Sequence, residues 1–329
     1  MGSIVAAVAS SHAFAVTPPE MWDELRERNR NVYAQRQHIG VPPPHPRMSA
    51  ESVDDVQTRY AHVRDGLFEL KRIIDESKPN ALIVIGDDQN ENFTAQNVPQ
   101  FAIYTGAEAV FFDRLFKEER TYHCDAEVAR IILNSAVEGG FDLSFSESFP
   151  DKRLISHAHV EPLMRMLLPN ADVPIVPIYV NAIHPPGPAP ARCYAFGQML
   201  GDIIRNHLAD SRIAIYASGG LSHFTAGYPW RYYRGPFGYG CISEDFDRKV
   251  LQWITNRQIS KLAELSSAEL LDHGEIELRS WIVLAGIVGA VPARVLAYEP
   301  LYRGLMGMAV AEWPLSATGT SHQRGARFG

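Results

Sequence analysis

The sequence predicts a single α/β domain in which helices cover both faces of a central mixed sheet. Strand-like and helix-like segments alternate along the chain, an order typical of α/β folds. The segment ALIVIG at residues 81–86 is apolar at every position, as expected of a strand that is covered on both faces. Because no linker or internal repeat divides the 329 residues, we expect one domain over residues 1–314 and a flexible polar tail over residues 315–329.

The segments around this strand follow helix and strand patterns in turn. Apolar residues recur at steps of three and four between residues 52 and 77, which predicts an amphipathic helix. Residues 3–10 and 212–218 are predicted strands, and so are residues 173–181, whose prolines suggest a sheet edge or a bulge. Further helices are predicted over residues 21–36 and in the segments AEVARIILNSAVEGG, ARCYAFGQMLGDIIRNHL, SEDFDRKVLQWITN and EIELRSWIVLAGIVGA.

Composition and charge argue against two classes of partner. The net charge is −7, and the 31 lysines and arginines are scattered without a basic stripe, which argues against nucleic acid. No apolar stretch reaches the length of about 18 residues that a membrane span needs. Three cysteines without a CxxC pair suit a reducing compartment, so we expect a cytoplasmic protein.

Polar side chains follow three of the predicted strands at the point where each strand ends. His12 follows the first strand, and the tip DDQ at residues 87–89 follows the strand ALIVIG. Ser222 and His223 follow the strand IYAS. Because ligands of open α/β sheets bind at the carboxyl ends of the strands, we expect these tips to share one crevice.

Two helix starts add further histidines and carboxylates. Glu275 and Glu277 begin the predicted helix EIELRSW, where the helix dipole favours a carboxylate. His157 and His159 begin another helix in SHAHVEPL. Taken one at a time, these residues also fit structural roles, since a glutamate can cap a helix and a polar tip can close its own loop. The residues alone therefore leave both a metal site and a structural interpretation open.

The order of these segments resembles that of the class III extradiol ring-cleavage dioxygenases, the family of the catalytic β subunit of protocatechuate 4,5-dioxygenase. The resemblance runs from Ile4 to about Trp313. Its most specific part is PPGPAPARCYAFG followed by GGLSH. The other segments that carry it are SSHAFAVTPPE, GDDQ, SHAHVEPL, VPIYVN and GEIELRSWIVLAG.

The resemblance implies a non-haem Fe(II) site, with another divalent metal as the alternative. Two histidines and a glutamate hold the iron in that family; His12 matches the first histidine and Glu277 the glutamate. The second histidine ends a strand in an NDH-type tip, and here Gln89 occupies its position. Because an amide oxygen is a weaker iron ligand than an imidazole, Asp88 and Asp87 are alternatives to Gln89. We expect Gln89 or Asp88 at the metal.

The resemblance also assigns the histidines that face the substrate. His223 matches the acid/base histidine of the family, and His157 matches a histidine that lies close to the substrate. We expect Ser222 and His159, which lie near them in the sequence, to contact the substrate as well. His157 or His159 is a further alternative for the second nitrogen ligand of the metal.

These assignments imply a dioxygenase that opens the ring of a catecholic or related aromatic acid with O₂. Two imidazoles and one carboxylate on one face of Fe(II) leave positions for both substrate oxygens and O₂. The altered ligand keeps two alternatives open, a non-oxidative hydrolase or lyase that uses His223 as its base and a non-catalytic homologue. The presence of His12, His157, His223 and Glu277 together argues against a non-catalytic protein.

Residues 17–50 form a long excursion that contains a short helix and the proline run VPPPHP. Long ordered excursions in compact domains often act as lids or interface arms, so we expect a built-in lid or a dimer arm. Some members of the family instead need a small helical subunit that covers the active site. We therefore expect a homo-oligomer, most simply a homodimer, with a small helical subunit as the alternative.

Overall fold

A computed structural model of the protein describes residues 2–113, 115–149 and 155–315. Its strands are β1 (Ser3–Ser10), β2 (Ala81–Gly86), β3 (Phe101–Tyr104), β4 (Glu108–Asp113), β5 (Glu118–His123), β6 (Ser144–Ser146), β7 (Ile175–Val180), β8 (Arg212–Ser218), β9 (Arg294–Leu301) and β10 (Met306–Glu312). Its helices are α1 (Trp22–Gln37), α2 (Pro46–Ala50), α3 (Val53–Ser77), α4 (Ala126–Glu138), α5 (His157–Pro162), α6 (Pro190–His207), α7 (Glu244–Thr255), α8 (Ser260–Glu264), α9 (Ser267–Asp272) and α10 (Leu278–Val288). None of these helices is both long and apolar enough to cross a membrane. Apart from Leu315, the predicted tail at residues 315–329 lies outside the described residues.

Eight of the strands form one mixed sheet in the order β6-β3-β7-β2-β8-β1-β10-β9. The central strands β7, β2, β8 and β1 are parallel, whereas β3 and β10 are antiparallel to their central neighbours. Successive residues of β2 enter two cores, because Ile83 and Ile85 belong to one cluster and Leu82 and Val84 to the other. The first core contains α6 and α10 residues, and the second contains α3 residues. The predicted α/β fold with helices on both faces is confirmed.

Strand β7 lies inside the sheet, between β3 and β2, so the sheet edge that its prolines suggested is wrong. Pro177 stands opposite Val84 of β2. On the other side, β3 pairs only with residues 178–180, so Pro177 lies beyond the end of that ladder. The missing N–H is tolerated in this interior strand because β3 is too short to reach it.

Helices α6 and α10 approach each other so closely that their backbones touch. Gly197 of α6 faces the Val283 carbonyl group, and Gly286 of α10 faces the Tyr194 carbonyl group. A methyl group at either glycine would overlap those backbone atoms, so the approach requires glycine. The contact fixes the position of α10, whose N-cap residue is Glu277.

The carboxyl ends of β2, β8 and β1 meet at one edge of the sheet, because these neighbouring strands are parallel. His12 lies two residues after β1, Asp87 follows β2 directly, and residues 219–223 follow β8. The N-terminal end of α10 joins the same edge through a hydrogen bond from the Gly220 N–H to Glu277. The fold therefore gathers the predicted strand tips and the start of α10 in one place.

Candidate metal centre and active site

Three buried side chains converge where the strand ends meet. His12, Asp87 and Glu277 each place one ligand atom within 4.8 Å of the others. They are only 2%, 1% and 1% exposed, in that order. His12 Nδ1 lies 3.9 Å from Glu277 Oε2, and that oxygen accepts a hydrogen bond from the Gly220 N–H at 2.9 Å. One imidazole and two carboxylates at this spacing form a donor set that suits a divalent metal ion.

The Asp87 carboxyl group has no hydrogen-bond partner among the described residues, although both of its oxygens are buried. Burial and, after it, the neighbouring Glu277 carboxylate raise the pKa of Asp87 well above its usual value. Buried polar atoms are rarely left unpaired, because each one costs about 1–3 kcal/mol. A bound cation would supply the missing partner, so the residues present fit a metal.

The protonation states of the other two side chains also suit a metal. Burial lowers the pKa of His12 to about 4, which keeps the imidazole neutral and its nitrogen lone pair available at pH 7. Burial would raise the pKa of Glu277, but the charge of His223, together with the hydrogen bonds from His223 and from the Gly220 N–H, contributes to a pKa below its usual value. Glu277 is therefore an anionic carboxylate at neutral pH.

His223 contacts the same carboxylate from the loop after β8. Its Nδ1 donates a hydrogen bond to the Leu221 carbonyl oxygen at 2.9 Å, and its Nε2 lies 3.4 Å from Glu277 Oε1. Burial opposes protonation of the ring, but Glu277, the Leu221 carbonyl group and Asp87 together raise the pKa of His223 to about 9. Because Nδ1 is engaged by a carbonyl oxygen, Nε2 is the atom at which His223 exchanges a proton.

His157 and Glu91 form an ion pair next to this group. Glu91 Oε2 accepts hydrogen bonds from the His157 backbone N–H at 3.0 Å and from His157 Nδ1 at 2.9 Å. Burial opposes protonation of His157, but Glu91, with smaller contributions from Glu161 and Asp87, raises its pKa to about 10. The ring packs edge-on against His12 with 5.2 Å between centroids. Glu91 was not predicted as a site residue, since its only signal in the sequence is its place in the polar run after β2.

A cavity of about 610 Å³ opens beside these residues. Gln89, Glu91 and His157 line its inner end. Apolar side chains from α1 and its N-cap, from the β4–β5 hairpin and from the segment after β1 form the cavity walls. They are Phe14, Met21, Leu25, Val32, Phe111, Phe112 and Leu115. Its cationic lining consists of Arg28, Arg36, Lys117 and Arg165. Only Arg165 has a carboxylate partner among the described residues, so three of the four cationic groups are available to an anionic ligand.

Residues 43–310 match the family described as the catalytic LigB subunit of aromatic ring-opening dioxygenase. The chain belongs to the LigB family. The matched range contains Asp87, His157, His223 and Glu277, whereas His12 precedes it. The resemblance to class III extradiol dioxygenases is therefore confirmed at the level of the family.

Two relatives of this LigB-family chain are named as dioxygenases of aromatic compounds. A 2,3-dihydroxyphenylpropionate/2,3-dihydroxicinnamic acid 1,2-dioxygenase of Mycolicibacterium smegmatis is 26% identical over 182 residues, 54% of this chain and 52% of the relative. A gallate dioxygenase of Pseudomonas putida is 32% identical over 171 residues, 50% of this chain and 46% of the relative. The chain thus spans about half the length of the curated relatives it matches.

A crystal structure of an uncharacterized protein from Escherichia coli K12 is similar to this chain over 75% of this chain and 92% of that protein's chain. At 12% identity and a TM-score of 0.44, that similarity carries no argument about function.

The strand tip of this LigB-family protein uses its three polar residues in different ways. Gln89 Nε2 donates a hydrogen bond to Glu277 Oε1 at 2.9 Å, so this side chain reaches the cluster. The Asp88 carboxylate instead accepts hydrogen bonds from the backbone N–H groups of Glu91, Asn92 and Phe93, at 2.9 to 3.1 Å. Asp88 therefore closes the loop, while Asp87 places a carboxylate oxygen in the cluster. Metal ligation by Gln89 or Asp88 stays a prediction.

His159 and Ser222, which we predicted to contact the substrate, are fully buried and do not line the cavity. His159 Nε2 lies 2.9 Å from the Ile178 carbonyl oxygen, and its ring packs on Tyr179 with 4.1 Å between centroids. Ser222 Oγ donates a hydrogen bond to Asp247 Oδ2 at 2.9 Å. Their contact with substrate stays a prediction that this placement does not support.

Proposed function

We propose that this LigB-family protein is a metal-dependent extradiol dioxygenase that opens the ring of a catecholic acid, with His223 as its acid and base. One observation carries the proposal. His12, Asp87 and Glu277 meet at a buried point that suits a divalent ion, and His223 Nε2 lies 3.4 Å from the same Glu277 carboxylate. A proton-transfer group is thus held against the metal donors, beside a cavity large enough for an aromatic ring.

The metal in this proposal is Fe(II), held by His12 and Glu277 together with the strand tip at residues 87–89. When bound, a ferrous ion would hold the two oxygens of a catechol and O₂ together and pass electron density between them. Both oxygen atoms enter the product, and the ring C–C bond next to the diol breaks, so no external reductant is needed.

His223 would take the proton of a substrate hydroxyl at Nε2 and return it after the ring opens. Glu277 is the main group that raises the pKa of His223, so a cation on Glu277 lowers that pKa towards neutrality and frees Nε2 to accept a proton. The hydrogen bond from Nδ1 to Leu221 keeps the ring oriented through both steps. His157, charged by its pairing with Glu91, would donate a hydrogen bond to an anionic oxygen at the inner end of the cavity.

The shape and charge of the cavity support an aromatic acid as substrate. Apolar side chains of α1 and of the β4–β5 hairpin would pack on the ring, and Arg28, Arg36 or Lys117 would pair with its carboxylate. Because α1 covers the cavity, we propose that residues 17–50 act as a built-in lid. The homo-oligomer, the small helical subunit and the cytoplasmic location stay predictions.

Oxygen uptake by the full chain tests this function. The protein, loaded with Fe(II) without air, is mixed with catecholic acids such as 2,3-dihydroxyphenylpropionate and gallate, and O₂ is measured with an electrode. We expect one O₂ per ring opened and the absorbance of a ring-fission product, with no reaction when one hydroxyl of the diol is methylated. Metal-loaded protein that consumes no O₂ with any catechol would contradict the proposal, and turnover without O₂ would favour the hydrolase or lyase alternative.

We expect Glu91→Ala to lower kcat for ring opening about 10- to 100-fold, because His157 loses the carboxylate that orients and charges it. Glu91→Gln is the matched control, since its amide oxygen can still accept the hydrogen bond from Nδ1. Steady-state kinetics on protein of equal metal content should show a smaller loss for the glutamine variant. A kcat of the alanine variant equal to that of the wild type would rule out this role for Glu91.

A further inference from the structure

We propose that Asp87 is the third protein ligand of the metal, and that Gln89 positions the Glu277 carboxylate instead of binding the metal. The ligand would thus lie two residues before the position where the resemblance places a histidine. This inference deepens the proposed function and rests on it only for the presence of a divalent metal.

Among the described residues, no side chain or backbone group forms a hydrogen bond with the Asp87 carboxylate. Asp87 is 1% exposed, and both of its carboxylate oxygens are buried. A ligand atom of Asp87 nevertheless lies within 4.8 Å of ligand atoms of both His12 and Glu277. A carboxylate buried without a partner, next to a second carboxylate, is repelled unless a cation joins the two. This position is the one expected of a metal ligand, because a cation bound between the two carboxylates would remove their repulsion and give Asp87 a partner.

Gln89 is engaged differently, because its amide presents a donor to the cluster. Gln89 Nε2 donates a hydrogen bond to Glu277 Oε1 at 2.9 Å. The amide oxygen of Gln89 instead faces Gly227, since a Cβ atom added to that glycine would lie 3.3 Å from this oxygen. The reverse orientation of the amide would set two acceptor oxygens against each other. Only the oxygen of an amide can bind a cation, and here it lies on the side turned to Gly227. Gln89 therefore acts on the metal through Glu277.

Asp88 does not compete with Asp87 for this position. Its two oxygens accept hydrogen bonds from three backbone N–H groups and from the Asn92 side chain, all within the loop that follows β2. Releasing Oδ1 to a metal would take away the acceptor of the Glu91 and Phe93 N–H groups, and releasing Oδ2 would break the hydrogen bond from the Asn92 side chain. The two neighbouring aspartates therefore divide the work, with Asp88 closing the loop and Asp87 facing the ion.

The resulting donor set carries two negative charges, one more than two histidines and one carboxylate would carry. A divalent ion bound by His12, Asp87 and Glu277 is then neutralised by its ligands. Carboxylate oxygens suit hard ions such as Mn²⁺ better than imidazole does, so the site should bind Mn²⁺ as well as Fe²⁺. Mn²⁺ is also stable in air and visible by electron paramagnetic resonance, which makes it the practical probe.

Mn²⁺ titration of the full chain, followed by calorimetry and by the resonance of free Mn²⁺, tests the assignment. We expect Asp87→Asn to weaken Mn²⁺ binding at least about 100-fold, because a charged ligand is lost. Gln89→Leu, which removes only the hydrogen bond to Glu277, should weaken it about 10-fold. Asp88→Asn is the matched control one residue along, and its affinity for Mn²⁺ should equal that of the wild type.

Thermal melting without metal verifies that the variants fold. The Tm of metal-free Asp87→Asn should be no lower than that of the wild type, since an amide costs less to bury than a carboxylate. Equal Mn²⁺ affinity of Asp87→Asn and the wild type would overturn the inference, and so would a larger loss in Gln89→Leu or Asp88→Asn than in Asp87→Asn. Wild-type protein that binds Mn²⁺ through Asp87 but opens no ring when it is loaded with Fe(II) would refute the proposed function and leave this ligand assignment standing.

Discussion

Replacing His223 with glutamine is expected to lower kcat for ring opening about 100- to 10,000-fold, the range over which a positioned acid and base contributes to catalysis. Glutamine retains a donor near Glu277 Oε1 but cannot take up and return a proton. The loss should therefore fall on kcat, while the dissociation constant of the substrate, measured without air, changes little. Steady-state O₂ uptake and anaerobic substrate titration provide the two numbers.

Metal content decides how a loss in the His223 variant is interpreted. We expect His223→Gln to bind as much metal as the wild type, because His223 is not a member of the three-residue cluster. A variant that loses its metal together with its activity would show that His223 supports the site and is not its acid and base. Undiminished kcat at full metal content would exclude His223 from proton transfer.

Glu277→Gln should abolish ring opening by removing the charged oxygen that joins the cluster. We expect metal affinity to fall at least about 100-fold, since both a ligand charge and the partner of His12 are lost. The pKa of His223 should also fall from about 9, because burial opposes protonation and Glu277 is the main group that outweighs it. Metal titration and the NMR shift of the His223 ring in the metal-free protein measure the two effects.

Glu275→Gln is the matched control for that variant. Glu275 is also fully buried, two residues earlier, but it is not a member of the cluster of His12, Asp87 and Glu277. Replacing its carboxyl group with an amide of the same shape should therefore leave metal affinity as it was. Equal losses in the two variants would mean that the effect comes from packing at the start of α10 and not from the charge of Glu277.

The four central strands of the main sheet, β7, β2, β8 and β1, and the helices that pack on them could be predicted from the sequence because their apolar patterns are clear, whereas β3, β6, β9 and β10 were not predicted. The amphipathic pattern of α3 and the uniformly apolar β2 each allow one structural interpretation, and both were found where expected. The hairpin of β4 and β5 was missed. It forms outside the main sheet, and β5 is mostly exposed and rich in charged residues, so its sequence lacks a clear strand pattern. The place of β7 depended on the length of β3, which no local pattern specifies.

Several residues of the candidate site could be named from the sequence, but Glu91 was missed and the orientation of the side chains could not be predicted. His12 and Glu277 lie at the ends of regular elements, so the order of segments was enough to bring them together. Which residue of the tip at 87–89 faces inward depends on how the following loop turns. That turn is set by hydrogen bonds from the backbone N–H groups of residues 91–93 to Asp88, and these cannot be read from the letters DDQ.

The glycine contact between α6 and α10 holds Glu277 in place independently of the cavity walls. Because Gly197 and Gly286 bring the backbones together, α10 cannot shift without forcing α6 to move, and Glu277 keeps its position. The cavity walls from α1 and the β4–β5 hairpin contribute no member of the His12, Asp87 and Glu277 cluster. In the proposed dioxygenase, substitutions in these walls should change which aromatic acid binds without removing a member of that cluster, so new specificities should be sought there.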